Sequence, residues 1–516
     1  MKNFFTNWRH DLPASLVVFL VALPLCLGVA LASTGKEPIL FSGIIAGAVG
    51  GIVVGLISGS RLGVSGPAAG LITIVATAIT TLGSFDAFLV AVILAGLIQF
   101  VSGFLGAGVI GNYFPSSVIK GMLAAIGLTL ILKEIPHAFG YDADFMGDES
   151  FFQVDGHNTF SEILIAINKT SPGAIAITLI SLFILILFER PFFKRFALFK
   201  FLPGALFVVV FGALINLLFK TYFPEWYLTG KHVVELPKAQ NWTEFTALFR
   251  FPDFKALTDY RVYTIALTIA LVGSLESLLS VEATDKLDPE KHKTPRSLEL
   301  KAQGLGNMIS GLLGGLPVTQ VIVRSSANIN AGAKSKLSAV FHGVLLFVAV
   351  IFIPFVLNLI PLSALAAILL MVGYKLSKVS LYKQMYKLGW DQFLPFIITI
   401  ISILFTDLLK GIGIGMAVSI FFILKRNYKN NFEKVVDKNK YDILLSEEVT
   451  FLNKGSIREM LHKIPNNSIV NIDGSNCKKI DYDVLESIQD FKDHISKDKN
   501  IQVTTINIPE VQVFGH

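Results

Sequence analysis

Charge is what this 516-residue chain has least of: Asp, Glu, Lys and Arg make up 16% of it, against 53% hydrophobic residues. Its mean hydropathy is +0.63. Soluble domains carry roughly 25% charged residues, so the deficit excludes a string of soluble domains. Cysteine is nearly missing too. Cys26 and Cys477 stand near opposite ends and cannot support a disulfide framework. The nine histidines are scattered without ligand spacing, so no metal site and no cofactor is expected. The formal net charge of +6 follows from loop lysines, which gives no reason to expect a nucleic-acid partner.

What is present is long uncharged runs. Leu12 to Gly35, Pro38 to Ser60, Leu62 to Phe85, Ala87 to Ile119, Thr170 to Phe188, Phe201 to Phe219, Ala302 to Val323 and Gly343 to Tyr374 lack Asp, Glu, Lys, Arg and His. A hydrocarbon core of about 30 Å needs about 20 apolar residues per helix, so the chain reads as a polytopic membrane protein. Lys2, Arg9 and the apolar stretch ending in Ala30-Leu31-Ala32 imitate a secretory signal. That first segment is itself long enough to span, and many like it follow.

Fourteen segments are predicted, starting near residues 13, 38, 65, 86, 112, 171, 202, 261, 298, 317, 338, 361, 391 and 409. With the amino terminus in the cytoplasm, Arg190, Lys194, Arg195 and Lys200 fall inside, as do Lys375, Lys378, Lys383, Lys387, Lys425, Arg426 and Lys429. The loop from Lys133 to Lys169, with seven acids against two lysines, falls outside, and both termini are cytoplasmic. Composition changes after Arg426: from Phe432 to His516, 25 of 85 residues are charged. The reading is a membrane domain over 1–430 and a small cytoplasmic α/β domain over 436–516. In the latter, strands are predicted at Tyr441–Leu445, Ser468–Ile472 and Ile501–Ile506, and helices at Lys454–Lys463 and Tyr482–His494.

Seven segments per half is an odd number, so a duplicated unit inserts its second copy upside down. Gly63-Val64-Ser65-Gly66-Pro67-Ala68-Ala69-Gly70 breaks the third segment and Gly314-Gly315-Leu316-Pro317-Val318-Thr319 breaks the tenth. Their prolines are 250 residues apart, close to the 248 separating the two half starts at Pro13 and Arg261. Proline is tolerated at a helix's first turn, so Pro67 and Pro317 are expected to open half-helices. Their amino-terminal ends, each with unpaired N–H groups and about half a positive charge, would meet near the midplane and bind an anion. The alternative is two proline kinks in ordinary spans. Glu276, within a span, with Ser280 one turn later, is a candidate proton carrier or sodium ligand. The alternative is an interfacial glutamate. Arg324 is expected to raise the positive potential of the site, the alternative being a snorkelling anchor. Lys120, Gln99 and His342 are read as structural.

At these motifs the chain resembles the SulP family of inorganic anion transporters. The matching stretches are "ALPLCLGVALASTG" from Ala22, "GVSGPAAG" from Gly63, "PSSVIKGMLAAIG" from Pro115, "GSLESLLS" from Gly273 and "GGLPVTQVIVRSSANINAGAKSKLSA" from Gly314. The tail resembles a reduced STAS domain through "IVNIDGSNCKKIDYDVLESI" from Ile469. The resemblance implies an all-α membrane domain of 14 segments in a 7+7 inverted repeat, whose core moves against a gate in elevator fashion. It also implies a homodimer in the lipid bilayer of a bacterial plasma membrane. It places a small inorganic anion among Ser65, Gly66, Pro67, Ala68, Ala69, Leu316, Pro317, Val318 and Thr319, with Leu25, Glu276 and Arg324 nearby. Ala68 and Glu276 depart from the hydroxyl and aspartate of sodium-coupled bicarbonate members, which favours H+ over Na+ as coupling ion.

The function expected is secondary transport of bicarbonate or sulfate. A nucleobase permease would need acids in both halves of the core. An uncoupled channel or exchanger would ignore a pH gradient, and a membrane enzyme would need clustered His, Asp or Glu.

Overall fold

The computed structural model describes residues 6–34, 39–67, 69–144, 146, 151, 157–190, 204–236, 242–429 and 432–511. Ala68, Lys194, Arg195 and Lys200 lie outside the described residues. The chain divides into two compact units, Met1–Met416 and Ala417–His516.

The first unit follows the apolar runs. It opens with α1 (Trp8–Thr34), α2 (Leu40–Ile57), α3 (Ile72–Leu82), α4 (Phe85–Phe104), α5 (Ser116–Phe139), α6 (Thr159–Asn168), α7 (Pro172–Glu189) and α8 (Gly204–Tyr222). It continues with α9 (Tyr260–Leu287), α10 (Arg296–Leu312), α11 (Ile322–Asn330), α12 (Leu337–Phe352), α13 (Leu362–Leu376), α14 (Val379–Lys387) and α15 (Trp390–Phe405), and α16 (Leu408–Lys429) runs on past its end. Among the described residues eight helices are long and apolar enough to cross a membrane; α3, α6, α12 and α15 are shorter apolar helices. Local chemistry sets their ends. Ser84 Oγ accepts from the N–H groups of Asp86 and Ala87 to open α4, and Pro172 supplies the first residue of α7. On α7 and α8, Leu179, Phe183, Leu214 and Leu218 are exposed, an apolar surface suited to lipid rather than water.

Packing comes in swapped sets. α1 lies on α12, and α9 on α4; α4 lies on α10, and α12 on α2; α5 lies on α15, and α13 on α7. Each of these contacts joins a helix of the first half to one of the second, and α5 and α13 also pack on each other. Three crossings bring glycine onto glycine. A Cβ built on Gly304 would stand 2.6 Å from Gly96 O, one on Gly51 2.7 Å from Gly343 Cα, and one on Gly127 2.6 Å from Gly373 O. Small residues allow this close approach of spans, where packing and interhelical hydrogen bonds hold helices together.

The two breaks meet, though not as expected. Neither proline opens a helix. Pro67 ends a strand, β1 (Ser65–Pro67), and Pro317 precedes another, β2 (Val318–Gln320). These pair antiparallel, Ser65 opposite Gln320, Gly66 opposite Thr319 and Pro67 opposite Val318. α11 begins only at Ile322, and α3 at Ile72 after a 3₁₀ turn over Ala69–Leu71. The β-branched residues Val318, Thr319 and Val321 favour extended backbone, and the ladder satisfies main-chain groups that lipid could not. Gly314 (φ +86°) turns the chain out of α10 towards this crossing.

Outside the spans, the loop residue Asp142 joins two elements. Its carboxylate lies 2.6 Å from Nδ1 of His137, at the end of α5, and 2.6 Å from Nδ1 of His232. Burial would raise the Asp142 pKa, but these hydrogen bonds outweigh it and hold the carboxyl below its ordinary value. The bond to Asp142 raises His232. The His232 contribution is therefore complete below the ordinary histidine pKa of about 6.5 and fades as pH climbs through the raised value. That of Asp142 is lost only as pH falls through the lowered one. His232→Ala should lower the melting temperature of purified protein most near pH 6 and progressively less towards pH 9. A deficit that grows with pH would contradict this.

The second unit contains a four-stranded sheet ordered β3 (Phe432–Asp437), β4 (Lys440–Leu445), β6 (Ile469–Asp473), β8 (Gln502–Ile506), and a separate two-stranded pair, β5 (Glu448–Val449) with β7 (Lys479–Ile480). β3 and β4 are antiparallel, and β4, β6 and β8 are parallel. Lys454–His462 and Tyr482–Asp490 are the helices, packed over Ile443, Val470 and Ile472.

Candidate functional site

Buried amide side chains hold the crossing in place. Asn307, in α10, donates to Gln99 Oε1 (2.7 Å) and to Val318 O (3.0 Å), and its own carbonyl accepts from Val318 N–H. Gln99 in turn donates to Ser274 Oγ of α9 at 3.2 Å. One turn before Asn307, Gln303 donates to Ser65 Oγ (2.8 Å) and to Glu299 Oε1 (2.7 Å). Gln320 bridges to Thr284 Oγ1 of α9 (3.0 Å), and Asn328 to Leu62 O (2.9 Å). Gln99, read as structural, thus belongs to the frame of the crossing. Gln303, Asn307, Gln320 and Asn328 were not singled out at all. Their signal was there: Gln303, Asn307 and Gln320 are the amides of the otherwise uncharged run from Ala302 to Val323, and Asn328 follows four residues after Arg324.

Asn307→Leu removes the partner of Val318 N–H. Leaving a buried donor unsatisfied costs about 1–3 kcal/mol, so a melting temperature several degrees lower is expected in detergent. An unchanged midpoint would remove Asn307 from the frame.

Against this frame lies a small cavity of about 30 Å³, room for one or two waters. Leu25, Pro67, Glu276, Ser280 and Arg324 line it, together with Val29 and Val321, Ile322 and Val323 at the start of α11. Ile126 and Leu130 of α5 and Leu408 of α16 close the opposite side. Leu316, Pro317, Val318 and Thr319 are not among the lining residues; Leu316, Val318 and Thr319 are fully or nearly fully buried in the frame. The stretch from Val321 to Val323 replaces them, because the helix starts five residues after Pro317. Ser65 is spent on Gln303, and Gly66 lies under the Arg324 guanidinium, where a Cβ would come within 2.9 Å of Cζ. Ala69 sits at the start of the turn into α3.

Helix starts, a buried cation and a carboxylate set the potential of the cavity. Val321 caps α11 without a side-chain hydrogen bond, as Leu71 does α3, so first-turn N–H groups are left for another acceptor. Arg324 is 1% exposed, beside the Cys26 thiol. Among the described residues its Nε and Nη1 have no hydrogen-bond partner, which is costly for a buried cation. Glu276 faces the other helix start, its carboxylate oxygens 3.2 Å from where a Cβ on Gly70 would be. Ser280 follows one turn later on the same helix.

The sequence profile of the Sulfate permease family matches residues 8–401. YvdB of Bacillus subtilis (strain 168), by its name a candidate sulfate transporter, is 30% identical over 81% of this chain and 74% of its own. The bicarbonate transporter BicA of Picosynechococcus sp. is 27% identical over 90% of this chain and 79% of its own. Among solved structures, the transmembrane domain of a cyanobacterial BicA superposes with a TM-score of 0.56 at 23% identity, covering 79% of this chain and 98% of that one. Murine Solute Carrier 26 family member A9, an anion transporter in the inward-facing state, gives 0.67 at 15% identity, covering 99% and 86%. With the profile spanning most of the chain and a relative at 30% identity, this protein belongs to the Sulfate permease family of membrane transporters.

Proposed function

We propose that the chain carries a small inorganic oxyanion, bicarbonate or sulfate, across a bacterial plasma membrane by elevator-type alternating access, with protons as the coupling ion. One observation carries the reading: a buried arginine with two donor atoms unpartnered among the described residues, beside helix starts without side-chain caps. A diffuse, backbone-based positive site suits a compact anion better than a planar base, which needs donors and acceptors shaped to its edge. The relatives' names, sulfate for one and bicarbonate for another, support the substrate class and leave both anions as candidates.

The swapped packing sets and glycine crossings support fourteen segments in an inverted repeat. α1 to α4 and α9 to α12 form the core, and α5, α7, α8, α13, α15 and α16 the gate. Because the cavity is lined from both groups, sliding one past the other would open it to alternate sides. Both termini are placed in the cytoplasm, the tail is read as STAS-like, and the functional unit as a homodimer. Counterflow in proteoliposomes tests the assignment: uptake of labelled bicarbonate or sulfate is expected, and none of bicarbonate, sulfate, chloride or a dicarboxylate would overturn it.

Glu276 is the proposed proton carrier, since proton relays in transporters use intramembrane carboxylates. With Glu276→Gln, accumulation driven by an inward proton gradient should disappear while counterflow persists. Unchanged gradient dependence would exclude it from coupling.

A further inference from the structure

A second, much larger cavity of about 700 Å³ lies at the ends of α5, α9, α10, α13 and α14. Its size is that of a pocket for a drug-sized ligand, about 300–1,000 Å³, and far exceeds what a lone oxyanion needs. Its walls are strongly basic. Lys286, Lys291, Lys293 and Arg296 come from the end of α9 and the start of α10, in the core. Lys120, Lys375 and Lys378 come from α5 and the α13–α14 corner, in the gate. Against these seven cations stand two acids, Glu282 and Asp285. Both are engaged: Glu282 with Arg296 and Lys286, Asp285 with the N–H and hydroxyl of Thr294. Lys375 pairs with Glu189. Among the described residues Lys120, Lys293 and Lys378 form no ion pair, and they stand on both sides of the cavity.

We infer that this cavity binds a soluble polyphosphate anion, and that the bound anion, bridging core lysines to gate lysines, holds the two groups together and slows transport. A chain of phosphates can form a charge-assisted bond with cations from both groups at once, more of them than a single oxyanion can engage. Among the described residues the only ring lining the cavity is the His292 imidazole, held by the Asp288 carboxylate at 2.8 Å, so recognition rests mainly on the phosphates. The blocking role rests on the transporter reading, whereas binding does not.

The test is therefore made first without transport. Binding of inorganic triphosphate and of a nucleoside triphosphate to the purified full-length protein in detergent is measured by titration calorimetry. Saturable binding of similar strength for both is expected, at least tenfold tighter than for inorganic phosphate and weakened by salt. The triple variant Lys120→Ser, Lys293→Ser, Lys378→Ser should bind at least tenfold more weakly with an unchanged size-exclusion profile, and the corresponding triple arginine variant should bind as the parent does. No saturable binding, or equal binding by the serine variant, overturns the inference. So does a response to vesicles containing phosphoinositide without one to soluble triphosphate, which would make the ligand a lipid headgroup. If binding holds, triphosphate on the lysine-rich side of proteoliposomes should slow counterflow in the parent and not in the serine variant. Binding without slowing would overturn the bridging role while leaving the transporter reading intact.

Discussion

Arg324→Gln should reduce anion counterflow by at least ~30-fold while leaving the protein folded. The guanidinium is buried against Gly66, with Nε and Nη1 unpartnered among the described residues. A charged partner in such a place is worth about 2–5 kcal/mol to a bound ion, and each 1.4 kcal/mol is tenfold in affinity. Glutamine keeps a donor and most of the length but no charge, so it separates field from packing. Lysine keeps the charge without the planar fork, and partial recovery in Arg324→Lys would assign the remainder to geometry. Counterflow within threefold of the parent in Arg324→Gln would make the residue an anchor, and the anion site would then rest on the helix starts alone. Melting temperature serves as the control: relief of a buried, incompletely paired cation should leave it unchanged or raise it.

The second large effect concerns folding. Gly304→Val places a side chain where a Cβ alone would lie 2.5 Å from Phe100 N and 2.6 Å from Gly96 O. Both are backbone atoms, so neither can rotate aside, and α4 and α10 must separate along their whole contact. Overpacking typically costs about 1–3 kcal/mol in a core that can adjust; here the cost should exceed that range. The expected result is loss of monodisperse protein after solubilisation. Gly343→Val, at the crossing of α12 on α2, should behave likewise, its Cβ being 2.8 Å from Ala48 O. Gly413→Ala provides the contrast. Nothing lies within 4 Å of a Cβ there, and alanine is the better helix former by about 1 kcal/mol, so yield should not fall. Similar yields for all three variants would discard the idea that glycine contacts set the helix spacing.

The parts of this fold that a sequence discloses are those encoded by composition and period. The spans were legible because a hydrocarbon solvent demands long uncharged runs. The tail was legible because Lys454–His462 and Ile469–Asp473 follow their periodicities nearly to the residue. β3 was missed because Glu433, Lys434 and Asp437 make an edge strand look like a linker. At the candidate site, the meeting of the two breaks was readable from matched proline positions. The point where each helix begins was not. Proline is compatible with a strand end as well as with a first helical turn, and only the ladder between Ser65–Pro67 and Val318–Gln320 decides between them. The side of the cavity formed by Ile126, Leu130 and Leu408 was invisible, since nothing distinguishes these apolar residues in sequence from dozens of others.

The antiparallel crossing of β1 and β2 carries a lesson about variation. Where the groups offered to a guest are amide hydrogens of the main chain, their position is written in chain length and not in residue identity. Exchanging Val321 or Ile322 for other β-branched residues leaves those hydrogens where they are, whereas deleting one residue between Gln320 and Arg324 turns every one of them by about 100° around the helix axis. Homologues can therefore diverge freely in letters here and still handle the same guest, provided no residue is gained or lost.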